Sequence, residues 1–142
     1  MPEDTPSAAA AIVEIHNLLN LYPHVVDDES QYHRVGEIFT DDAVYEIGGA
    51  LGVHVGLAAI ERYLRDGALR DSDPGHAFCH NTVDIHVHDL TPTTARAMSR
   101  CLSVFRDGRS GMGVYQDELV RTPAGWRIHH RRMGPFTGAS GH

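Results

Sequence analysis

Apolar residues near the start of the chain recur at helical intervals. They stand three or four residues apart, the spacing of one buried helical face, at Ile12, Ile15, Leu19, Tyr22 and Val26. Thr5 and Pro6 stand before them, and a hydroxyl cap followed by a proline is a favourable helix opening. Pro23 lies within the periodic segment, so we expect it to kink or end this first helix.

A second helix is predicted from residue 30 to residue 39. Ser30 is a suitable N-cap, because its hydroxyl can accept a hydrogen bond from a free backbone N–H. The apolar residues that follow it are Val35, Ile38 and Phe39. Asp41 and Asp42 then predict a turn, since aspartate side chains stabilise turn backbones.

The segment at 43–47 contains β-forming residues and stops at Gly48 and Gly49, so it predicts a strand that ends in a turn. A short extended piece follows at 52–56. A third helix is marked by Ile60, Tyr63 and Leu64. The polar run at 66–75 after this helix predicts a mobile loop.

The second half of the chain has long alternating or apolar stretches that predict strands. They cover 76–89, 94–106, 112–121 and 126–133. Turn residues separate them, with Asp107-Gly108 after the second stretch and 122–125 after the third. Helices followed by antiparallel strands predict an α+β fold, in which the helices pack on one face of a curved sheet and the concave face bounds a pocket.

Length and charge narrow the functional classes. With 142 residues the chain fits one hydrophobic core, so we expect a single domain over 1–142, with an ordered core at about 7–134 and a loose C-terminal tail. The formal net charge of -7 argues against nucleic-acid binding, which depends on clustered cations. Without a long apolar segment or a basic secretory leader, we expect no membrane partner and a cytoplasmic location.

The basic residues, 12 in number, are all arginines. The absence of lysine excludes Schiff-base chemistry, pyridoxal phosphate attachment and a P-loop, so we expect no cofactor. Cys79 and Cys101 lie in apolar stretches without the spacing of a disulfide framework or a zinc site, and we interpret both as small buried residues. Catalysis would therefore rest on histidine, carboxylate, tyrosine, arginine or cysteine side chains.

An aspartate and two histidines are candidates for acid–base chemistry. Asp27 falls where the first helix ends, and His76 and His80 stand at the start of the first long strand. A carboxylate that accepts from one imidazole nitrogen leaves the other nitrogen basic, which suits removal of a proton from a substrate. A hydrogen-bonded histidine at a pocket rim, without catalytic function, fits the same sequence.

Two further side chains share one face of the 112–121 stretch. Residues two apart on a strand point the same way, so Tyr115 and Arg121 are expected to face the same cavity, where a hydroxyl and a cation would stabilise developing negative charge. The alternative is a surface ion pair between Asp117 and Arg121.

His86 and His88 alternate along the first long strand and superficially suggest a metal site. Two imidazoles are too few, because metal sites normally have three or four converging ligands. The apolar residues that alternate with them are Val83, Ile85 and Val87, which favour the core side. We therefore expect the histidines to face water and predict no metal.

Several segments together resemble one known family. They are Ile15-His-Asn-Leu18, Val26-Asp27, Arg34-Val-Gly-Glu-Ile-Phe-Thr-Asp-Asp-Ala43, Gly113-Val-Tyr115-Gln-Asp-Glu-Leu-Val-Arg121 and Gly125-Trp-Arg-Ile128. On these residues the chain resembles the SnoaL-like family of the nuclear-transport-factor-2-like superfamily, which includes scytalone dehydratase, the lindane dehydrochlorinase and polyketide cyclases. The resemblance implies a cone-shaped α+β barrel in which a first-helix aspartate pairs with a strand histidine that acts as the base.

The resemblance also assigns individual residues. Its Val-Asp pair places the aspartate at Asp27, while an ungapped count from Arg34 selects Asp28; the histidine falls at His76 or His80. Arg121 matches an arginine of the dehydrochlorinase. Residues implied to line the pocket are Tyr22, Tyr45, Tyr115 and Arg131, together with Phe105, which stands where the dehydratase has its second catalytic histidine.

Two functional hypotheses follow. The first is a cofactor-independent lyase or isomerase that acts on a small hydrophobic substrate, such as a polyketide or another cyclic molecule, through the histidine–aspartate pair. The second is a protein of the same fold that binds a small molecule or serves assembly without catalysis, since fold does not fix function. Because an open antiparallel sheet needs cover, we also expect a homodimer or homotrimer.

Overall fold

The computed structural model describes residues 7–48, 51–69 and 77–136. Two α-helices, a 3-10 helix (Glu29–Glu37) and six strands follow one another along the chain. They are α1 (Ala8–Val26), the 3-10 helix, β1 (Phe39–Ile47), β2 (Val53–Val55), α2 (Leu57–Leu69), β3 (Ala77–His88), β4 (Thr94–Phe105), β5 (Ser110–Thr122) and β6 (Gly125–Pro135).

The six strands form one curved, unclosed sheet in the order β2-β1-β6-β5-β4-β3. β1 runs parallel to β6, and the other neighbours are antiparallel, so the sheet is mixed. The helices lie on its concave face. The expected α+β fold, a cone of helices and curved sheet, is confirmed.

Helix α1 covers the concave face with one apolar stripe. Its fully buried residues include Ile15, Leu19 and Val25, and a buried leucine or isoleucine stabilises the fold by about 1.5–3 kcal/mol. Ile12, which the periodicity placed on this face, is 36% exposed, so that assignment is wrong. Pro23 lies inside the helix and does not end it, since three further helical residues follow it.

The N-terminal boundaries differ from those expected. Ser7 is the N-cap of α1, and its hydroxyl accepts a hydrogen bond from the Ala10 N–H at 3.1 Å; Thr5 and Pro6 lie outside the described residues. The second helix is a 3-10 helix capped by Asp28, so Ser30 is not its cap; the Ser30 N–H donates to the Asp28 carboxylate at 3.0 Å.

Strand β1 starts earlier than expected, and α2 ends later. Phe39 is the first residue of β1, and Asp41 and Asp42 are part of that strand and not a turn. Helix α2 continues to Leu69, so the first part of the expected loop at 66–75 is helical. The rest of that segment lies outside the described residues.

The long strands agree with the four predicted stretches, but β3 contains a bulge. Asp84 and Ile85 together oppose Ser99 of β4, and Asp84 has a φ of 55°. A bulge shifts the alternation of side chains by one residue. Val83 is therefore paired with Arg100 on the outer face, which corrects its expected place in the core, while Val87 pairs with Ala97 on the inner face.

No helix in the part of the chain that the structure describes is both long enough and apolar enough to cross a membrane.

Candidate functional site

Asp27 and His80 form a two-point contact at the end of α1. Asp27 is the C-cap of the helix. Its Oδ1 lies 2.7 Å from Nδ1 of His80, and its Oδ2 accepts the backbone N–H of His80 at 2.8 Å. An ionised carboxylate only accepts hydrogen bonds, so Nδ1 carries the proton and Nε2 of the neutral ring is left as an acceptor.

The bulge in β3 places His80 on the inner face of the sheet. Before the bulge, His80 pairs with Ser103 and Thr82 with Cys101, and these β4 residues face the interior. Strict alternation from Val87 would have turned His80 outward. The bulge is therefore a structural requirement for this site.

The pair is only partly shielded from water. The His80 side chain is 23% exposed and that of Asp27 24%. Nε2 of His80 makes no hydrogen bond to any of the described residues. His76, the other candidate, lies outside those residues, and the carboxylate of Asp28 is occupied at the start of the 3-10 helix.

A cavity of about 410 Å³ opens on the same end of the inner face. His80 is the direct neighbour of Ser103 across β3 and β4, and side chains in such pairs have Cβ atoms about 5 Å apart. Ser103 is in turn the direct neighbour of Gly111 across β4 and β5. Ser103 and Gly111 line this cavity, although His80 itself is not part of its wall. The remaining lining includes Cys101, Phe105, Gly113 and Met133.

Small residues create this space. Gly111 and Gly113 of β5 bring no side chain to the inner face, and Cys101 and Ser103 of β4 bring short ones. A Cβ at Gly111 would lie 3.1 Å from Cε2 of Phe105, and one at Gly113 would lie 3.2 Å from the Gly134 carbonyl oxygen. The alternation of glycines at 111 and 113 is the sequence signal for this cavity, which the periodicity and turn patterns above did not predict.

Deeper in the cone, aromatic rings surround a buried ion pair. Nε and Nη2 of Arg131 donate to the two carboxylate oxygens of Asp117 at 2.7 and 2.9 Å. Both side chains are fully buried. The guanidinium lies 3.8 Å from the ring centre of Tyr115 and 4.6 Å from that of Tyr22, a cation–π arrangement that stabilises the cation.

The tyrosine hydroxyls of this region are kept protonated. Burial, reinforced by the neighbouring Tyr45 hydroxyl, raises the pKa of both Tyr22 and Tyr115 well above its ordinary value. Burial also raises the pKa of Tyr45, although the charge of Arg131 opposes this. The hydroxyls of Tyr22 and Tyr45 are 3.1 Å apart and share a hydrogen bond.

Burial alone would lower the pKa of Arg131. The charge and hydrogen bonds of the Asp117 carboxylate outweigh this effect, so the pKa of Arg131 is raised. Three buried polar atoms in this region have no hydrogen-bond partner among the described residues: Thr82 Oγ1, Ser99 Oγ and Arg131 Nη1. Such atoms are uncommon in proteins, and they make the interior polar despite its apolar walls.

Two expectations for β5 are wrong. Arg121 does not share a cavity with Tyr115, because it is exposed at the far end of the strand, beyond the irregular register at Glu118 and Leu119. Asp117 does not form a surface pair with Arg121, because it is buried against Arg131. The other expected pocket residues, Tyr22, Tyr45, Tyr115 and Arg131, are each less than 4% exposed in the interior.

His86 and His88 lie on the outer face with their rings stacked at 5.6 Å. Within residues 7–48, 51–69 and 77–136, no group of three or more histidine, cysteine or carboxylate side chains is arranged to hold a metal ion.

Fold and site together define a small α+β cone with an aspartate–histidine pair at its mouth and a buried arginine among tyrosines in its interior. The chain belongs to the family of SnoaL-like domains, whose family model matches residues 7–132. None of the curated proteins matches the sequence.

Solved structures agree with this assignment. A protein from Novosphingobium aromaticivorans proposed to be an aromatic ring hydroxylase is 26% identical over 92% of each chain, with a TM-score of 0.75. A variant of Rv3472, a protein of unknown function from Mycobacterium tuberculosis, is 26% identical over 86% of this chain and 69% of its own, with a TM-score of 0.68. A second Novosphingobium protein, proposed as a scytalone dehydratase, is 17% identical over 86% of this chain and 81% of its own, with a TM-score of 0.69, and is similar in fold alone.

Proposed function

We propose that the chain is a cofactor-independent lyase or isomerase in which His80 removes a proton from a small hydrophobic substrate. The observation that carries the proposal is the two-point contact of Asp27 with the ring and the backbone of His80. A base works best when its orientation and tautomer are fixed before the substrate arrives. The cavity beside Ser103 offers room for a ring of the substrate.

The negative charge left on the substrate needs stabilisation. Tyr115 is not among the lining residues of the cavity, but it is paired across β5 and β6 with Met133, which is. We assign this role to Tyr115, because its raised pKa keeps the hydroxyl protonated and therefore able to donate. Arg131 contributes a positive charge that Asp117 and the rings of Tyr22 and Tyr115 hold in place. A preorganised donor and cation in a water-poor interior stabilise an oxyanion more strongly than they would in water.

Proton removal is common to dehydration, isomerisation, cyclisation and elimination, so its test does not depend on the later steps. We would incubate the protein in heavy water with cyclic ketones such as indanone and tetralone, and follow exchange at the carbon next to the carbonyl by proton NMR. The wild-type chain should accelerate exchange, and Asp27→Asn should lower the rate by about a hundredfold to ten-thousandfold.

Asp28→Asn is the matched control, because Asp28 adjoins Asp27 but caps the 3-10 helix. This variant should exchange at nearly the wild-type rate. An equal rate for wild type and Asp27→Asn would remove Asp27 from the mechanism.

A binding protein without catalysis is the alternative, favoured by the exposure of about a quarter of the His80 side chain. Ketones that bind in the cavity without any accelerated exchange would establish this alternative.

For either function we propose a homodimer or homotrimer that covers the outer sheet face, where Met98 is 46% and Met112 38% exposed.

A further inference from the structure

A second cavity lies at the opposite end of α1 from the Asp27–His80 pair. It has a volume of about 270 Å³ and lies between the start of α1, the turn from β3 to β4, and the far ends of β5 and β6. Helix α1 has 19 residues, so its two ends are roughly 28 Å apart at a rise of 1.5 Å per residue. This cavity therefore does not belong to the site described above.

Its walls are mainly apolar and are fixed by hydrogen bonds. Trp126 is 2% exposed, and its backbone N–H donates to Oε1 of Glu14 at 3.1 Å. Thr91 holds the turn from β3 to β4, because its hydroxyl accepts the Thr94 N–H at 2.9 Å. The other apolar lining residues are Ala8, Ala11, Leu90 and Pro92. A preformed wall reduces the entropy lost when a ligand binds.

Among the described residues of the lining, Arg121 is the one with a charged side chain. Its backbone N–H donates to the Thr93 carbonyl at 2.9 Å, which fixes the position of the residue. Its guanidinium makes no hydrogen bond or ion pair with any of the described residues. The first turn of α1, which begins at Ala8, adds the positive end of a helix dipole to the same mouth.

We propose that this cavity binds a small apolar carboxylate, a molecule with one ring or a short chain and a single acidic group. The carboxylate pairs with Arg121, because a guanidinium and a carboxylate form strong charge-assisted hydrogen bonds. The apolar body packs against Trp126 and Leu90 between the small side chains of Ala8 and Ala11. The proposal is independent of the proposed catalytic function, since no residue of the Asp27–His80 site takes part.

Trp126 provides the readout, because it is the only tryptophan in the sequence. The full-length chain would be titrated with para-toluate and with its neutral counterpart para-toluamide while the tryptophan emission is recorded. Para-toluate should change the emission saturably. Para-toluamide should bind about tenfold more weakly, because it lacks the charge that Arg121 recognises.

Two variants separate the charge from the shape of the cavity. Arg121→Gln should weaken para-toluate about tenfold and leave para-toluamide unchanged, whereas Arg65→Gln, a substitution on α2 outside the lining, should change neither. Ala8→Leu fills the cavity from an exposed helix position and should weaken both probes. Asp27→Asn should bind para-toluate like the wild type, which keeps this test distinct from that of the proposed function.

The proposal fails if para-toluate gives no saturable change in emission, or if Arg121→Gln binds it as tightly as the wild type. It also fails if binding appears only after Glu3 and Asp4 are changed to Gln and Asn. In that case the acidic residues that precede α1 in the sequence, and not a separate ligand, would be the partner of Arg121.

Discussion

At the scale of single residues, Asp27 uses both carboxylate oxygens on one partner. One oxygen binds the ring of His80 and the other its backbone N–H, so the ring cannot turn without losing a charge-assisted hydrogen bond. The backbone contact also covers a sheet edge, because β3 is one of the two edge strands and its His80 N–H is bonded to the end of α1.

The side-chain pairs of the site could be predicted only in part from the sequence. Asp27, His76 and His80 were predictable as candidates, because periodicity indicates where the first helix ends and the first long strand starts. Their pairing was implied by the resemblance to the SnoaL-like family. The partner of Arg131 could not be predicted. Arg131 pairs with Asp117 through the register of β5 and β6, and strand register depends on packing across the whole sheet.

The buried ion pair of Asp117 and Arg131 should contribute to stability only while both charges are present. Asp117→Leu leaves the guanidinium of Arg131 buried without its counter-charge, and we expect the free energy of unfolding to fall by about 3–5 kcal/mol. The double variant Asp117→Leu, Arg131→Met removes both charges and should be more stable than the single variant. Urea unfolding measures both, and a double variant less stable than Asp117→Leu would contradict this account.

At the scale of elements, the turn between β5 and β6 is tied to α1. Gly125 has a φ of 120°, and a Cβ at this position would lie 2.6 Å from Oε1 of Glu14. That same oxygen accepts the backbone N–H of Trp126 at 3.1 Å. The glycine therefore allows the close approach that joins the first helix to the last strand.

Gly125→Ala should destabilise the chain by about 1–3 kcal/mol, because it adds backbone strain and displaces the carboxylate of Glu14. Gly108→Ala is the matched control, since Gly108 also has a positive φ, of 87°, but no atom of the described residues lies within 4 Å of the added Cβ. The midpoint of thermal unfolding should fall further for Gly125→Ala. Equal losses would mean that the contact with Glu14 has no energetic effect.

The helices and strands were the most predictable part of this structure. The four long strands and the apolar face of α1 follow from periods of two and of three to four residues, which are local properties. The bulge at Asp84 was not predictable, because it inserts one residue without any glycine or proline to mark it. Its consequence is large, since it brings both His80 and Val87 to the inner face.

At the scale of the whole molecule, three tyrosines from separate elements meet in the interior. Tyr22 comes from α1, Tyr45 from β1 and Tyr115 from β5, and the pKa of each is raised by burial. A raised pKa in the folded state means that stability is retained below the pKa of the unfolded chain, about 10 for tyrosine, and is lost as the pH rises above it.

We therefore expect these three phenols to ionise only when the chain unfolds. In an alkaline titration, part of the phenolate absorbance should rise together with the loss of far-ultraviolet ellipticity. Tyr115→Phe should reduce the amplitude of that part. Ionisation of all the tyrosines before any loss of ellipticity would contradict the packed interior described above.

The proposed proton transfer depends on Asp27 fixing the tautomer of His80 so that Nε2 is the unprotonated nitrogen. NMR of labelled histidine side chains measures this directly, with the His80 signal assigned by its absence in His80→Gln. The neutral ring should carry its proton on Nδ1 in the wild type and in Asp28→Asn, and should shift toward the Nε2 tautomer in Asp27→Asn. A proton on Nε2 in the wild type, or the same tautomer in Asp27→Asn, would contradict the claim.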